Sequence, residues 1–199
     1  MKIAIDARKL HDFGIGTYIR NLLRQLARLD HETEFVVLCR PEDKAAIAAF
    51  GRNLTPVPER SGNYTITEQL AIPFSLKRHG VTLFHAPHYV LPALVRCRWV
   101  VTLHDCIHLM FPQYLPNPLA LRYARTSITG AARRATRVLT VSESSKRDIL
   151  RFVDIAPEKI DVIYNAYDER FSHPPSEEDL DRVRERYQLQ DQFVLYAGN

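Results

Sequence analysis

The strongest constraint on the fold is a regular alternation of short apolar runs with longer amphipathic stretches along most of the chain. Strands are predicted at Lys2–Asp6, Glu34–Cys39, Thr82–His85, Trp99–Leu103, Arg137–Val141 and Asp161–Tyr164. Helices are predicted between them, at Gly16–Leu29, Glu42–Phe50, Thr67–Arg78, Leu119–Arg134 and Ser144–Phe152. Such alternation requires a parallel sheet with right-handed crossovers, so we expect an α/β, Rossmann-like sheet with helices on both faces. The segment Leu54–Tyr64 is rich in Pro, Gly and Asn and predicts a loop.

Composition limits the class of protein further. With 46% hydrophobic and 25% charged residues among 199, the chain is typical of a globular protein and not of a disordered one. No apolar run reaches the roughly 18 residues of a membrane span, and the N-terminus lacks the apolar region of a signal peptide. Three widely spaced cysteines (Cys39, Cys97 and Cys106) do not form a disulfide framework. We therefore expect a cytoplasmic protein.

Charge is unevenly distributed along the chain. Residues 96–151 carry ten Lys and Arg against three Asp and Glu, whereas residues 152–199 carry five against eleven. A basic segment of this kind attracts phosphates, nucleic acid or an anionic membrane surface, although a solvated face explains it equally well. Nucleic acid is disfavoured, because the Arg-rich helices lack interleaved exposed aromatic residues and no recognised binding motif is present.

Polar side chains follow the ends of two predicted strands. His104 and Asp105 come directly after Trp99–Leu103, and His88 and Tyr89 follow Thr82–His85. Ligands of open parallel sheets bind outside the carboxyl ends of the strands, so these residues are candidates for a site. The alternative for any single histidine at such a position is a structural hydrogen-bond donor.

A metal site is not expected. His104, Cys106 and His108 alternate beyond the strand, but no second ligand cluster has the spacing of a structural zinc site.

Two strand-to-helix junctions carry further candidates. The turn Gly14-Ile15-Gly16-Thr17 could present backbone N–H groups to an anion, although a plain turn is the alternative. It matches neither the dinucleotide fingerprint nor the P-loop. Ser142 follows the predicted strand Arg137–Val141, where capping of the next helix is the favoured role of its hydroxyl. No Gly-x-Ser-x-Gly elbow supports a hydrolase.

Several of these segments occur together in one known family. They are, in chain order, Gly14-Ile-Gly-Thr-Tyr-Ile-Arg-Asn-Leu-Leu23, His85-Ala-Pro-His-Tyr-Val-Leu-Pro92, Thr102-Leu-His-Asp105 with Phe111-Pro112, Leu139-Thr-Val-Ser-Glu-Ser-Ser145 and Val162-Ile-Tyr-Asn165. Through this series the chain resembles the family 4 retaining glycosyltransferases of the GT-B fold over nearly its whole length.

The resemblance implies a domain organisation. GT-B enzymes have two Rossmann-like domains separated by a cleft, and residues 1–164 would be the N-terminal, acceptor-side domain. Residues 165–199 would hold a linker, an acidic helix at Glu177–Tyr187 and, at Phe193–Ala197, the first strand of an incomplete C-terminal domain that binds the nucleotide-sugar. The family's Glu-x7-Glu motif and basic phosphate clamps belong to that domain, so this fragment alone is expected to be inactive.

The resemblance also implies roles for residues. It implies metal-independent transfer, with retention of configuration and without a cofactor, from a nucleotide-sugar donor to a sugar or lipid-linked acceptor. His104 would be the catalytic residue beside the donor sugar. The expected substrate-binding residues are Gly14, Gly16 and Thr17 near the donor phosphates, His88 and Tyr89 on the acceptor side, and Asp105 and Ser142.

Other functions stay open at this point. A GT-B sugar-nucleotide epimerase would use a similar scaffold, and a non-catalytic sugar- or nucleotide-binding module would need no second domain. Because many similar enzymes act on lipid-linked acceptors, the basic residues around Arg122, Arg125 and Arg133 also predict peripheral contact with an anionic inner membrane surface.

Overall fold

The computed structural model describes residues 1–62, 65–89, 92, 94–190 and 192–196. In this part of the chain one wholly parallel sheet is formed by β1 (Lys2–Asp6), β2 (Glu34–Cys39), β3 (Leu54–Pro58), β4 (Leu83–Ala86), β5 (Arg98–Thr102), β6 (Arg137–Thr140) and β7 (Ile160–Val162). The order across the sheet is β3-β2-β1-β4-β5-β6-β7. The chain therefore starts in the middle, builds one half of the sheet, and returns to build the other half from β4. This confirms the predicted Rossmann-like fold and makes β1 and β4 the topological switch point.

Helices connect the strands close to the predicted positions. They are α1 (Phe13–Leu29), α2 (Lys44–Ala48), α3 (Ile66–Arg78), α5 (Pro118–Arg134) and α6 (Glu143–Phe152), together with a short α4 (Ile107–Met110) that was not predicted. Side chains of Thr65, Asn117 and Ser142 accept hydrogen bonds from the first turns of α3, α5 and α6, which fixes where these helices begin. None of the helices among the described residues is both long and apolar enough to cross a bilayer.

The prediction of a loop over Leu54–Tyr64 is wrong in its first half. Leu54–Pro58 forms β3, the outermost strand next to β2. An edge strand pairs on one side only, so Pro56 and Pro58 can sit where their missing N–H groups would face away from the ladder. Asn63 and Tyr64, at the end of the predicted loop, lie outside the described residues.

The core lies on both faces of the sheet. Phe35, Val37 and Cys39 of β2 pack with residues of α1 and α2 on one face. Val36 and Leu38 of the same strand belong to a larger cluster with residues of α3, α5 and α6 on the other. Because side chains alternate along a strand, a sheet covered twice needs apolar residues at every position, and these short apolar runs provide them.

The chain divides into two compact units, residues Met1–Asn165 and Ala166–Asn199. The second unit holds α7 (Glu177–Tyr187), which starts at the predicted residue and is capped by the Ser176 hydroxyl. The predicted strand Phe193–Ala197 is not formed: residues 193–196 have no regular structure and are 56–100% exposed, and Ala197 lies outside the described residues. A parallel strand needs a hydrogen-bonded neighbour, and the described residues of this unit contain no other strand.

Candidate functional site

Two polar clusters lie at the carboxyl ends of β1, β4 and β5, beside the switch point. We call them the charged cluster (Asp6, Arg8, Glu68 and His88) and the histidine cluster (Tyr18, His85, Thr102 and His104). Arg8, which is bonded to Asp6, reaches Glu68 of α3, whereas Thr102 faces Tyr18 of α1. The two clusters therefore lie on opposite faces of the same edge of the sheet.

The charged cluster is built around the guanidinium of Arg8. Its Nε donates to Asp6 Oδ1 at 2.9 Å, and one terminal nitrogen donates to both Asp6 Oδ2 at 2.7 Å and Glu68 Oε1 at 2.5 Å. His88 Nε2 lies 3.3 Å from Asp6 Oδ2. The side chains of Asp6, Arg8 and Glu68 are at most 1% exposed, so one cation holds two carboxylates out of water.

Burial and charge pairing shift the pKa of Asp6 in opposite directions. Burial raises the pKa of its carboxyl, but the attraction of Arg8 and the hydrogen bonds from His88 and Arg8 outweigh it and hold the pKa far below its usual value. Asp6 is therefore ionised at neutral pH, and His88 donates its Nε2 proton to it. The cluster ties the end of β1 to the first turn of α3 and to the segment after β4.

The histidine cluster shares one hydroxyl among its members. Thr102 Oγ1, at the end of β5, lies 2.8 Å from His85 Nε2 and 3.4 Å from the Tyr18 hydroxyl. The Tyr18 ring meets the ring of His104 edge-on, with centroids 4.9 Å apart. His104 Nε2 donates to the carbonyl oxygen of Pro87 at 3.2 Å. Tyr18 of α1 and Pro87, just after β4, therefore fix the orientation of His104.

Both histidines of this cluster are neutral at physiological pH. Burial, with smaller contributions from His104 and His88, lowers the pKa of His85 to about 4. Burial also lowers the pKa of His104, against the opposing effects of the Pro87 carbonyl and Asp105. Because His104 donates through Nε2, its neutral ring keeps Nδ1 as a hydrogen-bond acceptor. A half-buried acceptor of this kind suits a hydroxyl group of a ligand.

The glycine turn differs from its prediction. The helix was predicted to begin at Gly16, but α1 begins at Phe13, so Gly14 as well as Gly16 lies inside its first turn. A Cβ on Gly16 would collide with the backbone carbonyl of Leu10, so this glycine serves close packing of the chain on itself. A Cβ on Gly14 would meet open space. Asp12 provides no side-chain cap to the helix, and the N–H groups of Phe13 and Gly16 donate to the carbonyls of His11 and Asp12. The N–H groups of Gly14 and Ile15 are therefore the candidate donors to an anion in this turn.

The other predicted site residues fall into different settings. Thr17 donates to the Phe13 carbonyl and accepts from Arg20 at 2.9 Å. The ring of half-buried Tyr89 meets that of His108 edge-on, with centroids 6.3 Å apart. Asp105 Oδ1 accepts from the Ile107 N–H at 3.1 Å in the turn that precedes α4. Ser142 caps α6, since its Oγ accepts from the Ser145 N–H at 3.0 Å. For Ser142 this is the capping role that its sequence position favoured.

Metal ligation finds no support among the described residues, which contain no group of three or more His, Cys, Asp or Glu side chains suited to hold an ion. Cys39, Cys97 and Cys106 are free thiols. Burial raises the pKa of Cys106 to about 12, with Asp105 and Asp148 adding to the effect, so its thiolate is disfavoured.

Sequence reasoning missed Asp6, Arg8, Glu68, Tyr18 and Thr102. For Asp6 a signal existed, because it ends the first predicted strand just as His104 follows the fourth. Glu68 gave no such signal. It lies 60 residues from Arg8, inside a predicted helix.

Comparison with known proteins defines the class. The Anabaena protein HepE, solved in complex with UDP and glucose, matches with a TM-score of 0.63 and 18% identity over 94% of this chain and 50% of its own. Sucrose-phosphate synthase from Thermosynechococcus elongatus matches with a TM-score of 0.67 and 14% identity over 96% and 53%. The fold is thus that of one Rossmann-like half of a GT-B glycosyltransferase.

The family follows from the sequence comparison. The family model for Glycosyltransferase Family 4 matches residues 14–171, and the chain belongs to this family. It is 27% identical over 203 residues to O-antigen chain mannosyltransferase B of Escherichia coli, covering 93% of this chain and 52% of that protein. The chain therefore spans about half the length of the curated relative that it matches.

Proposed function

We propose that this chain is the acceptor-side half of a retaining glycosyltransferase that transfers a hexose from a nucleotide-sugar to an acceptor hydroxyl without a metal ion. The observation that carries the proposal is the histidine cluster at the switch point of a family 4 domain. A neutral His104 held in one orientation at this edge would contact a donor sugar bound in the cleft. UDP and UDP-glucose in the Anabaena structures support a nucleoside diphosphate leaving group.

The residues of this half would act by orientation and electrostatics. Transfer breaks the bond between the anomeric carbon and the phosphate oxygen and the O–H bond of the acceptor. It forms a bond from the anomeric carbon to the acceptor oxygen, and the acceptor proton leaves with the departing diphosphate. The anomeric carbon passes through an oxocarbenium-like state. His104 Nδ1 would accept a hydrogen bond from a sugar hydroxyl, and the first turn of α1 around Gly14 would stabilise the departing diphosphate. His88 and Tyr89 would line the acceptor side.

The remaining half of the cleft belongs to a second domain in this proposal. Residues 165–199 would form its start, as a linker, the acidic helix α7 and a strand at Phe193–Ala197 that pairs once neighbouring strands are present. The exposure of Phe193, Val194, Leu195 and Tyr196 supports this assignment, because four consecutive apolar side chains in water normally have a partner. The 199-residue chain alone should then fold without catalysing transfer. Free thiols are consistent with action in the cytoplasm.

The test uses the full-length enzyme with a nucleotide-sugar and candidate acceptors. His104→Ala should lower kcat at least about 10²-fold, because it removes a contact made in the transition state. His31→Ala, at an exposed histidine away from both clusters, should leave kcat within about twofold. Activity of His104→Ala within about threefold of wild type would remove His104 from the site.

Product analysis separates the related functions. A product with the anomeric configuration of the donor supports retention, and an inverted product contradicts it. A new sugar-nucleotide formed without any acceptor would show that the protein is an epimerase instead. Binding of the donor without any turnover by the full-length protein would indicate a binding module.

A further inference from the structure

The connection between β1 and α1 ends in a strained and exposed aromatic residue. Phe13, the first residue of α1, has a φ of 28°, in the left-handed region that a residue with a Cβ rarely adopts. Its side chain is 86% exposed, so burial of the ring does not offset the strain. Strain of this kind concentrates where a protein contacts a ligand or a substrate. Phe13 is therefore a candidate ligand contact.

Two carboxylates near Phe13 do not cap the helices that they precede. Asp12 stands before α1 and Asp43 before α2, at positions where an aspartate normally accepts a hydrogen bond from a first-turn N–H. Neither makes a side-chain cap. Asp12 pairs with Lys9 at 2.9 Å, and Asp43 pairs with His11. This edge of the sheet therefore departs from locally favoured structure at several neighbouring positions, as functional sites do.

His11 is an exposed imidazole held by a buried carboxylate. Its Nε2 lies 2.7 Å from Asp43 Oδ1, and its side chain is 73% exposed whereas that of Asp43 is 6% exposed. Among the described residues, Asp43 Oδ2 is the only buried side-chain oxygen or nitrogen without a hydrogen-bond partner. A neutral His11 donates its Nε2 proton to Asp43, which fixes the tautomer and leaves Nδ1 as a hydrogen-bond acceptor.

The His11–Asp43 pair lies on the same face of the sheet as the histidine cluster. Asp43 directly precedes α2, which packs with α1 in one core cluster, and α1 carries Tyr18 of the histidine cluster. His11 and Phe13 flank Asp12, so their Cα atoms are at most about 7.6 Å apart. Both side chains can therefore contact one small ligand. An aromatic ring next to a fixed acceptor suits a pyranose, whose C–H face is apolar and whose rim carries hydroxyls.

We propose that Phe13 and the His11–Asp43 pair form a subsite for one pyranose ring of the acceptor, in addition to His88 and Tyr89. Phe13 stacks on the C–H face of the ring, and His11 Nδ1 accepts a hydrogen bond from one of its hydroxyls. Asp43 does not touch the sugar. It is a positioning residue that holds the imidazole in one orientation.

The role of the subsite in transfer rests on the proposed transferase function, whereas pyranose binding does not. In the proposed mechanism the acceptor proton leaves with the diphosphate, so the acceptor hydroxyl must lie beside the groups that hold the diphosphate. The candidate groups are the N–H groups of Gly14 and Ile15, and Phe13 directly precedes them. A sugar stacked on Phe13 would therefore lie next to the departing group.

The first experiment measures NMR saturation transfer from the 199-residue chain to the methyl pyranosides of glucose, mannose and galactose, without a donor. Phe13→Leu keeps an apolar side chain but removes the aromatic face, and it should weaken pyranoside binding at least about fivefold. His11→Ala should weaken binding by a similar factor. Phe74→Leu and His31→Ala change exposed residues of other segments and should bind within about twofold of wild type.

Variants of Asp43 test the positioning role. Asp43→Ala should weaken binding about as much as His11→Ala, with circular dichroism showing it folded. On the His11→Ala background it should change binding less than about twofold, because Asp43 acts only through His11. Asp43→Asn keeps an oxygen for the Nε2 proton and should bind at least about twofold better than Asp43→Ala. Losses that multiply in the double variant would remove Asp43 from the subsite.

The strain at Phe13 gives an independent measurement. Glycine adopts a positive φ at no steric cost, so Phe13→Gly should melt at or above the wild-type temperature while it loses pyranoside binding. A variant that melts well below wild type and still binds the sugar would show that Phe13 serves packing.

The second experiment measures kinetics of the full-length enzyme. Phe13→Leu and His11→Ala should raise the acceptor KM at least about fivefold and leave the donor KM within about twofold. A raised donor KM with an unchanged acceptor KM would overturn the proposal, because the residues would then belong to the donor site. Absence of saturation transfer from the wild-type chain to all three pyranosides would overturn it as well.

The two experiments also separate the subsite from the transferase function. Pyranoside binding that is lost in both variants, without transfer by the full-length enzyme to any acceptor, would support the subsite and refute the transferase function. Transfer with an acceptor KM that neither variant changes would support the transferase function and refute the subsite.

Discussion

Replacing Arg8 by Met tests the charged cluster most directly. Arg8 is 4% exposed and is the cation between two buried carboxylates, Asp6 and Glu68. Methionine keeps an unbranched apolar chain but leaves those carboxylates uncompensated. Removing one partner of a buried ion pair costs about 3–5 kcal/mol. In a domain of this size each kcal/mol lowers Tm by about 2–4 °C, so Arg8→Met should melt roughly 6–20 °C below wild type at pH 7.

The pH dependence of this difference gives a second measurement. In wild type the pKa of Asp6 lies well below its usual 3.8, so the stability contributed by its ionised form is present above pH 3.8 and is lost only as the pH falls below it. Without Arg8 the effect of burial dominates and raises the pKa of Asp6 above 3.8. Its protonation then relieves the buried charge, so the gap in Tm between variant and wild type should narrow as the pH falls from 7 towards 4.

Two controls accompany the variant, which is followed by thermal and urea denaturation. Arg184→Met breaks an exposed pair with Asp181, 55% and 66% exposed, and should cost less than about 1 kcal/mol. Adding Glu68→Gln to Arg8→Met removes one buried charge and should recover part of the loss. A cost below about 1 kcal/mol for Arg8→Met, or a gap that stays constant with pH, would refute the reasoning.

Three further predictions follow from other observations. Burial lowers the pKa of His85 from 6.5 to about 4. As the pH falls through this range, the unfolded chain binds a proton that the folded chain does not, so the free energy of unfolding should drop by up to about 3 kcal/mol. His85→Gln should flatten that slope in urea denaturation and exposed His31→Gln should not; equal slopes would contradict the assignment. Gly16→Ala should lose about 1–3 kcal/mol against the Leu10 carbonyl, whereas Gly14→Ala should be neutral or slightly stabilising, and similar Tm values for both would exclude the packing role of Gly16. EDTA should leave transfer by the full-length enzyme intact, since the described residues offer no ligand group; loss with rescue by Mn²⁺ would show that the proposed mechanism is wrong.

Much of the fold could be predicted because local periodicity reports burial. The runs Lys2–Asp6 and Glu34–Cys39 are strands with the predicted bounds, and the other predicted strands before Asn165 shift by one or two residues. The loop prediction failed at Leu54–Pro58 because this strand lies at the edge of the sheet. Proline excludes a central strand but not an edge strand, and strand order is invisible in a local pattern.

The candidate site could be predicted only in part. The rule that ligands bind at strand ends singled out His88 and His104, and the structure places them just beyond the carboxyl ends of β4 and β5. The same rule could not show that Arg8 would bond Glu68, since it says nothing of pairs brought together by a crossover. Nor could it separate Gly16, which packs on Leu10, from Gly14, which faces open space.

The sequence by itself determined the alternation of elements, hence the parallel sheet, and the residues that end each strand. Only the tertiary structure decided which of the two apolar sides of α3 is buried, and that Ile66, Leu70 and Phe74 are the ones left in water. The physical reason is that hydrogen bonding and side-chain period act over a few residues, within reach of a local pattern. Burial is shared among elements distant in the chain, so it is fixed only when strand order brings those elements together.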